Sequence, residues 1–327
     1  MKAFIVFSIF VLLLPLLVTN PYYLNVLAFV GLYSLVTLGL SVFIGYAGQI
    51  SLGHGAFYAL GAYGSALLGI YCPLNPWLAS LIALLWTSLL AWFLGYFILR
   101  LKGHYLVMAT LAVNLIIYIL LVELEEFTGG VSGLPGITPF CLFSFCFADD
   151  RSNYYLIWGV TLFFLWGILR LLGGRIGREL KAIKASEQAA RALGIPVVRY
   201  KVAAFTFSAF LAALAGTLYA HYLTFISPKS FDIFYSVEVV TMVLVGGAGS
   251  PWGALLGAFF LTPLPQVLEF FEEYKDIFYG MVLMLILIFC PEGLVSLNIR
   301  AHFGDIRSGT DPNMRQGKGI RPRSFKA

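Results

Sequence analysis

The chain has 327 residues, of which 60% are hydrophobic and only 11% are charged. Soluble domains carry about 25% charged and about 45–50% apolar residues, so this composition excludes a cytosolic enzyme, a secreted domain and a disordered chain. Most basic residues adjoin apolar segments, so the net charge of +5 argues against nucleic acid as a partner. The composition predicts an all-α polytopic membrane protein in contact with the lipid bilayer.

Ten apolar runs predict about 8–10 transmembrane helices, since a span needs about 17–25 apolar residues. The runs lie at 3–18, 24–44, 56–71, 77–99, 105–122, 154–172, 202–222, 236–246, 253–268 and 277–296. The first run is short, and the eighth is only half a span unless residues 230–236 extend it. The first run follows Lys2 as a signal peptide would, but no small-residue cleavage pattern precedes Pro21. We therefore expect it to be retained.

The charges predict the orientation of these spans. With the N-terminus inside and ten spans, eighteen of the 21 lysine and arginine residues fall on the cytoplasmic side. Ten of the 16 acidic residues fall on the outer side. Because cytoplasmic loops of membrane proteins are enriched in lysine and arginine, we expect both termini in the cytoplasm.

Two outer loops, 123–153 and 223–235, are longer than simple connections. The first contains four glycines and a proline between Thr128 and Gly136, a composition incompatible with a helix. This loop is either a flexible connector or a docking surface for a soluble partner. Cys141 and Cys146 lie in it, and they are either disulfide-bonded in an oxidising compartment or unpaired.

The large inner loop, 173–201, predicts a short amphipathic helix outside the membrane. Strong helix formers run from Arg178 to Leu193, and Gly194, in a left-handed conformation, followed by Pro196 ends the helix. Four of its residues are predicted to form one apolar stripe: Leu180, Ile183, Ala190 and Leu193. Such a helix either lies on lipid headgroups or inserts into a groove on a cytosolic protein. Its many alanines leave little bulk for lipid, which favours the protein groove.

Two glycine-rich segments interrupt the apolar runs with no room for an aqueous loop. One spans residues 45–57 and the other 246–259, and each contains Gly-x-Ala-Gly followed by Gly-Ala-Phe. Irregular backbone at membrane depth is tolerated only where protein or a water-filled cavity surrounds it. Paired broken segments point to the translocation pathway of a transporter, and the alternative is close helix packing through small residues. The candidate pathway residues in these segments are Gly45, Gly48, Gln49, Ser51, His54, Gly246 and Gly249.

Polar residues within the spans are few. Asn114 and Glu238 join the pathway candidates, because an intramembrane carboxylate must face protein or water. Glu238 is therefore either a pathway residue or a structural hydrogen-bond anchor.

The sequence shows no chemistry or energy source of its own. It lacks the Gly-x-x-x-x-Gly-Lys-Ser/Thr pattern that cradles nucleotide phosphates. Its four histidines are scattered singly, without metal-ligand spacing, and it has no catalytic constellation or chain of intramembrane carboxylates. We therefore expect no catalytic residue, cofactor or metal in this chain. It is either a passive pore or a transport subunit driven by another protein.

Several segments resemble one known family in the same order along roughly residues 24–297. They are Leu38–Ala62, Thr128–Gly130, Gly133–Ile137, Ala189–Ile195 with Tyr200 and Lys201, Tyr219–Tyr222, Ile226–Pro228 and Glu238–Gly253. The pattern is similar to that of branched-chain amino acid ABC-importer permeases, and most similar to their M-type subunit.

The resemblance implies a set of partners. Such permeases pair with a second, related permease and with two cytosolic ABC ATPase subunits, which hold ATP and Mg, and a periplasmic binding protein delivers the substrate. The inner loop resembles the Glu-Ala-Ala-x-x-x-Gly motif that docks on the ATPase, with one residue inserted after the glutamate. The resemblance thus implies ATPase-coupling roles for Glu187, Ala189, Ala190, Leu193 and Gly194.

The sequence therefore predicts a permease domain over 1–297 and a basic, disordered cytoplasmic tail over 298–327. The expected function is import of leucine, isoleucine and valine by alternating access. The alternatives are a related ABC importer of urea, short-chain amides or other amino acids, and a stand-alone secondary transporter or channel.

Overall fold

The computed structural model describes residues 2–18, 20–101, 103–142 and 145–267, with positions 280, 281, 284, 288 and 293. The predicted all-α class is confirmed over these residues, since strands are limited to four two-residue pieces. The helices are α1 Lys2–Leu17, α2 Pro21–Ser41, α3 His54–Tyr71, α4 Pro76–Ile98, α5 His104–Glu123, α6 Glu125–Thr128, α7 Asp150–Gly173, α8 Arg175–Ala185, α9 Glu187–Ala192, α10 Val197–Leu223, α11 Ile233–Gly246, α12 Pro251–Leu261 and α13 Leu264–Val267.

Three membrane helices begin with the same local signal, a capping side chain followed by proline. The side chain of Asn20 accepts a hydrogen bond from the backbone N–H of Tyr22, and proline is the first residue of α2. Asn75 caps α4 and Ser250 caps α12 in the same way. Proline suits this position because the first helical N–H has no partner within the helix.

Five described helices are long and apolar enough to cross a membrane, and α11 with α12 forms a sixth, bent candidate. The most apolar stretches of α2 and α10 are 83% and 72% buried, whereas those of α4, α5 and α7 are 28%, 22% and 33% buried. The first two are therefore central. The other three expose apolar faces that suit lipid.

The centre of the bundle is the crossing of α3 and α10. A side chain at Gly61 would overlap the backbone of Ala213, and one at Gly216 would overlap the backbone of Tyr58. Two glycines thus let the helices approach backbone to backbone, as membrane helices commonly do. Helix α2 packs beside this pair and against α7 and α12.

The two long outer loops pair with each other. Strand β1, Leu134–Pro135, runs antiparallel to β4, Phe225–Ile226. A hairpin of β2, Cys141–Leu142, and β3, Phe145–Cys146, lies in the first loop, and a disulfide joins Cys141 to Cys146. Of the two alternatives for these cysteines, the structure has the bonded one.

Each of the first nine apolar runs contains a helix, but the eighth and ninth are not separate full spans. Helix α11 has 14 residues and α12 has 11, and the chain bends by 120° between them. Both are too short to cross a membrane alone because a helix rises only about 1.5 Å per residue. Most of the tenth run and all of the 298–327 tail lie outside the described residues.

The helix predicted over 178–193 is also corrected, because it is two helices. Ser186 is extended, with φ −162° and ψ 114°, and separates α8 from α9. Its hydroxyl accepts a hydrogen bond from the N–H of Ala189 and caps the second helix. Serine is a preferred N-cap, and this preference prevails over the helix formers on either side.

Candidate functional site

The first glycine-broken segment follows α2. The helix continues into a π-helical turn at Val42–Tyr46, and the chain then runs without regular structure until α3 begins at His54. Gly48 has φ +69°, a left-handed conformation that favours glycine. π-Turns of this kind recur at functional sites in membrane and soluble helices.

The second broken segment joins α11 to α12. Helix α11 ends at Gly246, Gly247 has φ +112°, and α12 begins at Pro251. Pro263 and Gln266, just beyond the far end of α12, lie beside Tyr22 and Tyr23 at the start of α2. The chain therefore descends in α11, turns beside the end of α2, and returns in α12.

The two broken segments touch. A methyl group at Gly45 would overlap the carbonyl oxygen of Ala248. The π-turn at the end of α2 therefore lies directly on the turn between α11 and α12. The sequence indicated both segments but could not show that they meet.

The structure separates the nine pathway candidates into buried and accessible groups. Gly45, Ser51, His54, Asn114 and Gly246 are buried within the chain, whereas Gly48, Gln49, Glu238 and Gly249 are at least partly accessible. Gly48 and Gln49 line a surface concavity of about 190 Å³ with His104 of α5. The accessible group is the one that can face a pathway directly.

Two of the buried polar candidates form hydrogen bonds to other segments of the chain. His54 Nε2 lies 2.7 Å from the hydroxyl of Ser208 on α10. The Nδ2 of Asn114 donates to the backbone oxygen of Asp232, 3.4 Å away. Asn114 lies near the middle of α5, so α11 begins beside the middle of a span, as a half-helix in the bundle.

One face of α11 is exposed along its whole length. Phe234, Val237 and Leu244 are exposed on it, and Glu238 and Thr241 are half-buried. A carboxylate in an apolar stripe at membrane depth is too costly to face lipid. This stripe must therefore meet protein or water.

Aromatic side chains support Glu238 from behind. The hydroxyl of Tyr33 donates to its carboxylate, 3.3 Å away, and the Tyr33 ring lies 5.5 Å from that of Tyr235. Tyr235 stacks on Tyr58 at 4.6 Å. The structure is compatible with both earlier alternatives for Glu238, because the side chain is anchored and also reaches the exposed stripe.

The inner loop forms a small core of its own. Ile183 of α8, Ala190 of α9 and Val197 of α10 are all buried together. Ala190 is 1% exposed, so its side chain packs inside the loop and holds it together, and its part in ATPase coupling stays a prediction. Leu193 is 78% exposed and so leaves the apolar stripe assigned to it. Gly194 has φ +78° and ends the helix in the expected left-handed conformation.

Glu187 ties α9 to the start of α10. Its carboxylate forms an ion pair with Lys201, whose side chain is only 4% exposed, and a longer one of 3.8 Å with Arg191. The loop is thus fixed to a transmembrane helix. Nearby on α8, hydrogen bonds from Tyr200 and Arg175 hold the pKa of Glu179 below its usual range.

Sequence reasoning assigned no role to Tyr33, Lys184, Lys201 or Ala248. Of these, Lys184 donates a hydrogen bond from Nζ to the carbonyl oxygen of Gly45, 2.8 Å away. Tyr33 looks like an ordinary aromatic residue of a span, and Lys184 like a solvated residue of a helix. Lys201 was recognisable only as part of the family pattern. Their roles depend on partners more than ten residues away in sequence, which local patterns do not identify.

Comparison with known proteins identifies the family. Residues 22–287 match the family model described as branched-chain amino acid transport system / permease component. The chain is 36% identical over 289 residues to the high-affinity branched-chain amino acid transport system permease protein LivM of Escherichia coli, covering 81% of this chain and 68% of that protein.

More distant relatives extend the similarity. A probable branched-chain amino acid transport permease protein LivM of Methanocaldococcus jannaschii is 24% identical, over 83% of this chain and 92% of its own length. The ribose import permease protein RbsC of Haemophilus influenzae is 28% identical, over 80% and 82%. No solved structure matches. With the family model covering most of the chain and its membrane helices, the protein belongs to the family of permease components of branched-chain amino acid transport systems.

Proposed function

We propose that this chain is one permease subunit of an ATP-driven importer that moves leucine, isoleucine and valine across the bacterial inner membrane by alternating access. The observation that carries the proposal is the direct contact between the two glycine-broken segments, at the same end of the bundle as the basic inner loop. A contact between two irregular segments can open or close with little loss of regular helix.

The pathway runs along the exposed stripe of α11, between this chain and a sister permease. Glu238 and Thr241 give the stripe polar groups in an otherwise apolar surface. A second permease packed over the stripe would remove Glu238 from lipid and enclose a route between the subunits. Gly48, Gln49 and Gly249 lie at the inner end of this route, and open space beside Gly249 would admit a methyl group without a contact.

The inner loop receives the motion of the ATPase. Ala189, Leu193 and Gly194 are exposed at the tip of α9 and form the surface that docks on an ABC ATPase subunit. Two such subunits hold ATP and Mg, and this chain holds neither. The ion pair of Glu187 with Lys201 transmits the movement of the tip to α10.

The outer loops face the periplasm, where a binding protein delivers the substrate. The disulfide between Cys141 and Cys146 suits an oxidising compartment. Both termini lie in the cytoplasm, because that orientation places most of the lysines and arginines inside.

The rate of ATP hydrolysis by the reconstituted importer tests which substrate it carries. The permease is purified with its sister permease and the ATPases, and placed in liposomes with its binding protein. Binding protein loaded with leucine, isoleucine or valine should stimulate hydrolysis, whereas binding protein offered urea or acetamide should not. Stimulation by urea or acetamide alone would assign the chain to the related importers of those solutes.

A further inference from the structure

Helix α8 reaches the first broken segment through one lysine. The Nζ of Lys184 donates a hydrogen bond to the carbonyl oxygen of Gly45, 2.8 Å away. Its stem lies along Gly48, where a Cβ would come within 3.0 Å of the Lys184 Cγ. One turn earlier, the Nζ of Lys181 lies 5.3 Å from the centre of the Tyr46 ring.

Gly45 can accept this bond because it lies in the last turn before the helix ends. The N–H of Ala47 bonds to Val42 and that of Gln49 to Phe43, so neither serves the Gly45 oxygen. Terminal carbonyls of a helix need partners from outside, and a cation is favoured there because the helix dipole is negative at that end. The ammonium group of Lys184 supplies both the hydrogen-bond donor and the positive charge.

Gly45 also contacts the second broken segment. The Cα side of Gly45 lies against the carbonyl of Ala248, in the turn between α11 and α12. Two successive contacts therefore lead from the inner loop, through the end of α2, to the turn that joins the pathway half-helix to α12. Helix α8 is packed into the protein at the start of this route, because Leu180 and Ile183 are both 2% exposed.

We infer that Lys184 is a positioning residue that transmits movement of the inner loop to the two broken segments. The inference rests on the proposed function. When the tip of α9 moves with the ATPase, α8 moves with it through the shared core. Lys184 then displaces the end of α2, and with it the turn at Ala248. A contiguous set of contacts is a route for coupling only if perturbing it changes the far end.

Lys184→Gln tests this route, because it removes the charge but keeps a hydrogen-bonding side chain. In the reconstituted importer we expect basal ATP hydrolysis and assembly to be retained, and substrate transported per ATP to fall about fivefold or more. Lys184→Arg should restore most of this ratio. Arg178→Gln is the matched control, since Arg178 lies exposed on the same helix and the same charge is lost.

Hydrogen exchange of the purified permease gives a readout independent of transport. Lys184→Gln should speed amide exchange in both 46–50 and 246–250 by about tenfold, because a charge-assisted hydrogen bond is lost, and Arg178→Gln should leave both unchanged. Faster exchange confined to 46–50, or general loss of protection with failed assembly, would overturn the inference. An unchanged transport ratio in Lys184→Gln would do so too. Failure of the unmodified complex to couple ATP to uptake would instead contradict the proposed function.

Discussion

Gly45 is the residue at which the two broken segments meet, and it has no room for a side chain. In Gly45→Ala the new methyl group would overlap the Ala248 carbonyl, so the segments must separate. Forcing a group into a close-packed contact costs about 1–3 kcal/mol. We expect strongly reduced uptake of substrate, measured in liposomes that contain the whole importer.

Gly249→Ala is the control for this substitution, because a Cβ there meets nothing within 4 Å. It should change the free energy of unfolding by less than about 0.5 kcal/mol and leave uptake intact. Equal uptake by the two variants would show that contact between the segments is irrelevant to transport.

Lys201 and Glu187 form a second contact, and its loss should lower the free energy of unfolding measurably. In Glu187→Gln the buried ammonium of Lys201 loses its carboxylate. Breaking a buried ion pair costs about 3–5 kcal/mol, and we expect the lower end of that range because Glu187 is 26% exposed. Thermal unfolding in detergent measures the loss.

Replacing both partners should recover part of this stability, since Lys201→Met removes the unpaired charge from Glu187→Gln. Arg175→Gln breaks an ion pair in which the arginine is 84% exposed, and should lower the unfolding temperature far less than Glu187→Gln does. A Glu187→Gln variant as stable as Arg175→Gln would contradict the role given to this pair.

At the scale of the element, the two faces of α9 differ in exposure, and the proposed function assigns them different roles. Leu193 is exposed at its tip, whereas Ala190 is buried against Ile183 and Val197. Leu193→Asp should abolish co-purification with the ATPase while the permease unfolds at its normal temperature. Ala190→Glu should lower the unfolding temperature itself, because it places a charge in an apolar core. Normal co-purification of Leu193→Asp would place the docking surface elsewhere.

The sequence predicted the inner loop only in part. The end at Gly194 was predictable because glycine before Ile-Pro is a local stop signal. The break at Ser186 was not, since one serine among helix formers is usually solvent-exposed within a helix. Which side of α9 is buried depends on Val197, which lies beyond the predicted helix, at the start of α10, and packs against Ala190. That information is tertiary, so periodicity within 178–193 assigned Leu193 to the wrong face.

At the scale of the whole molecule, the charge distribution predicts an orientation that labelling can test. In a cysteine-free background, Gln188→Cys should react only with reagent from the cytoplasmic side and Val131→Cys only from outside. Both positions are exposed, so accessibility is not limiting. Labelling of position 188 from outside would reverse the topology and remove the ATPase contact.

The membrane class and nine helical runs were predictable because hydropathy reports directly on contact with lipid. The bent pair of α11 and α12 was harder to predict from the sequence. Helices α11 and α12 are apolar like full spans, and only their length, with the glycines at 246, 247 and 249, indicates that the chain turns back. The meeting of Gly45 with Ala248 joins residues about 200 positions apart, which no local pattern in a single sequence identifies.

ATP-dependent uptake tests the central claim most directly. Liposomes containing this chain, its sister permease and the two ATPases are supplied with ATP on the ATPase side and with binding protein and labelled leucine on the other. The account predicts accumulation of leucine that requires ATP and binding protein, and its loss in Gly45→Ala but not in Gly249→Ala. Leucine uptake by this chain without the ATPases, or no uptake by the complete assembly, would contradict the account.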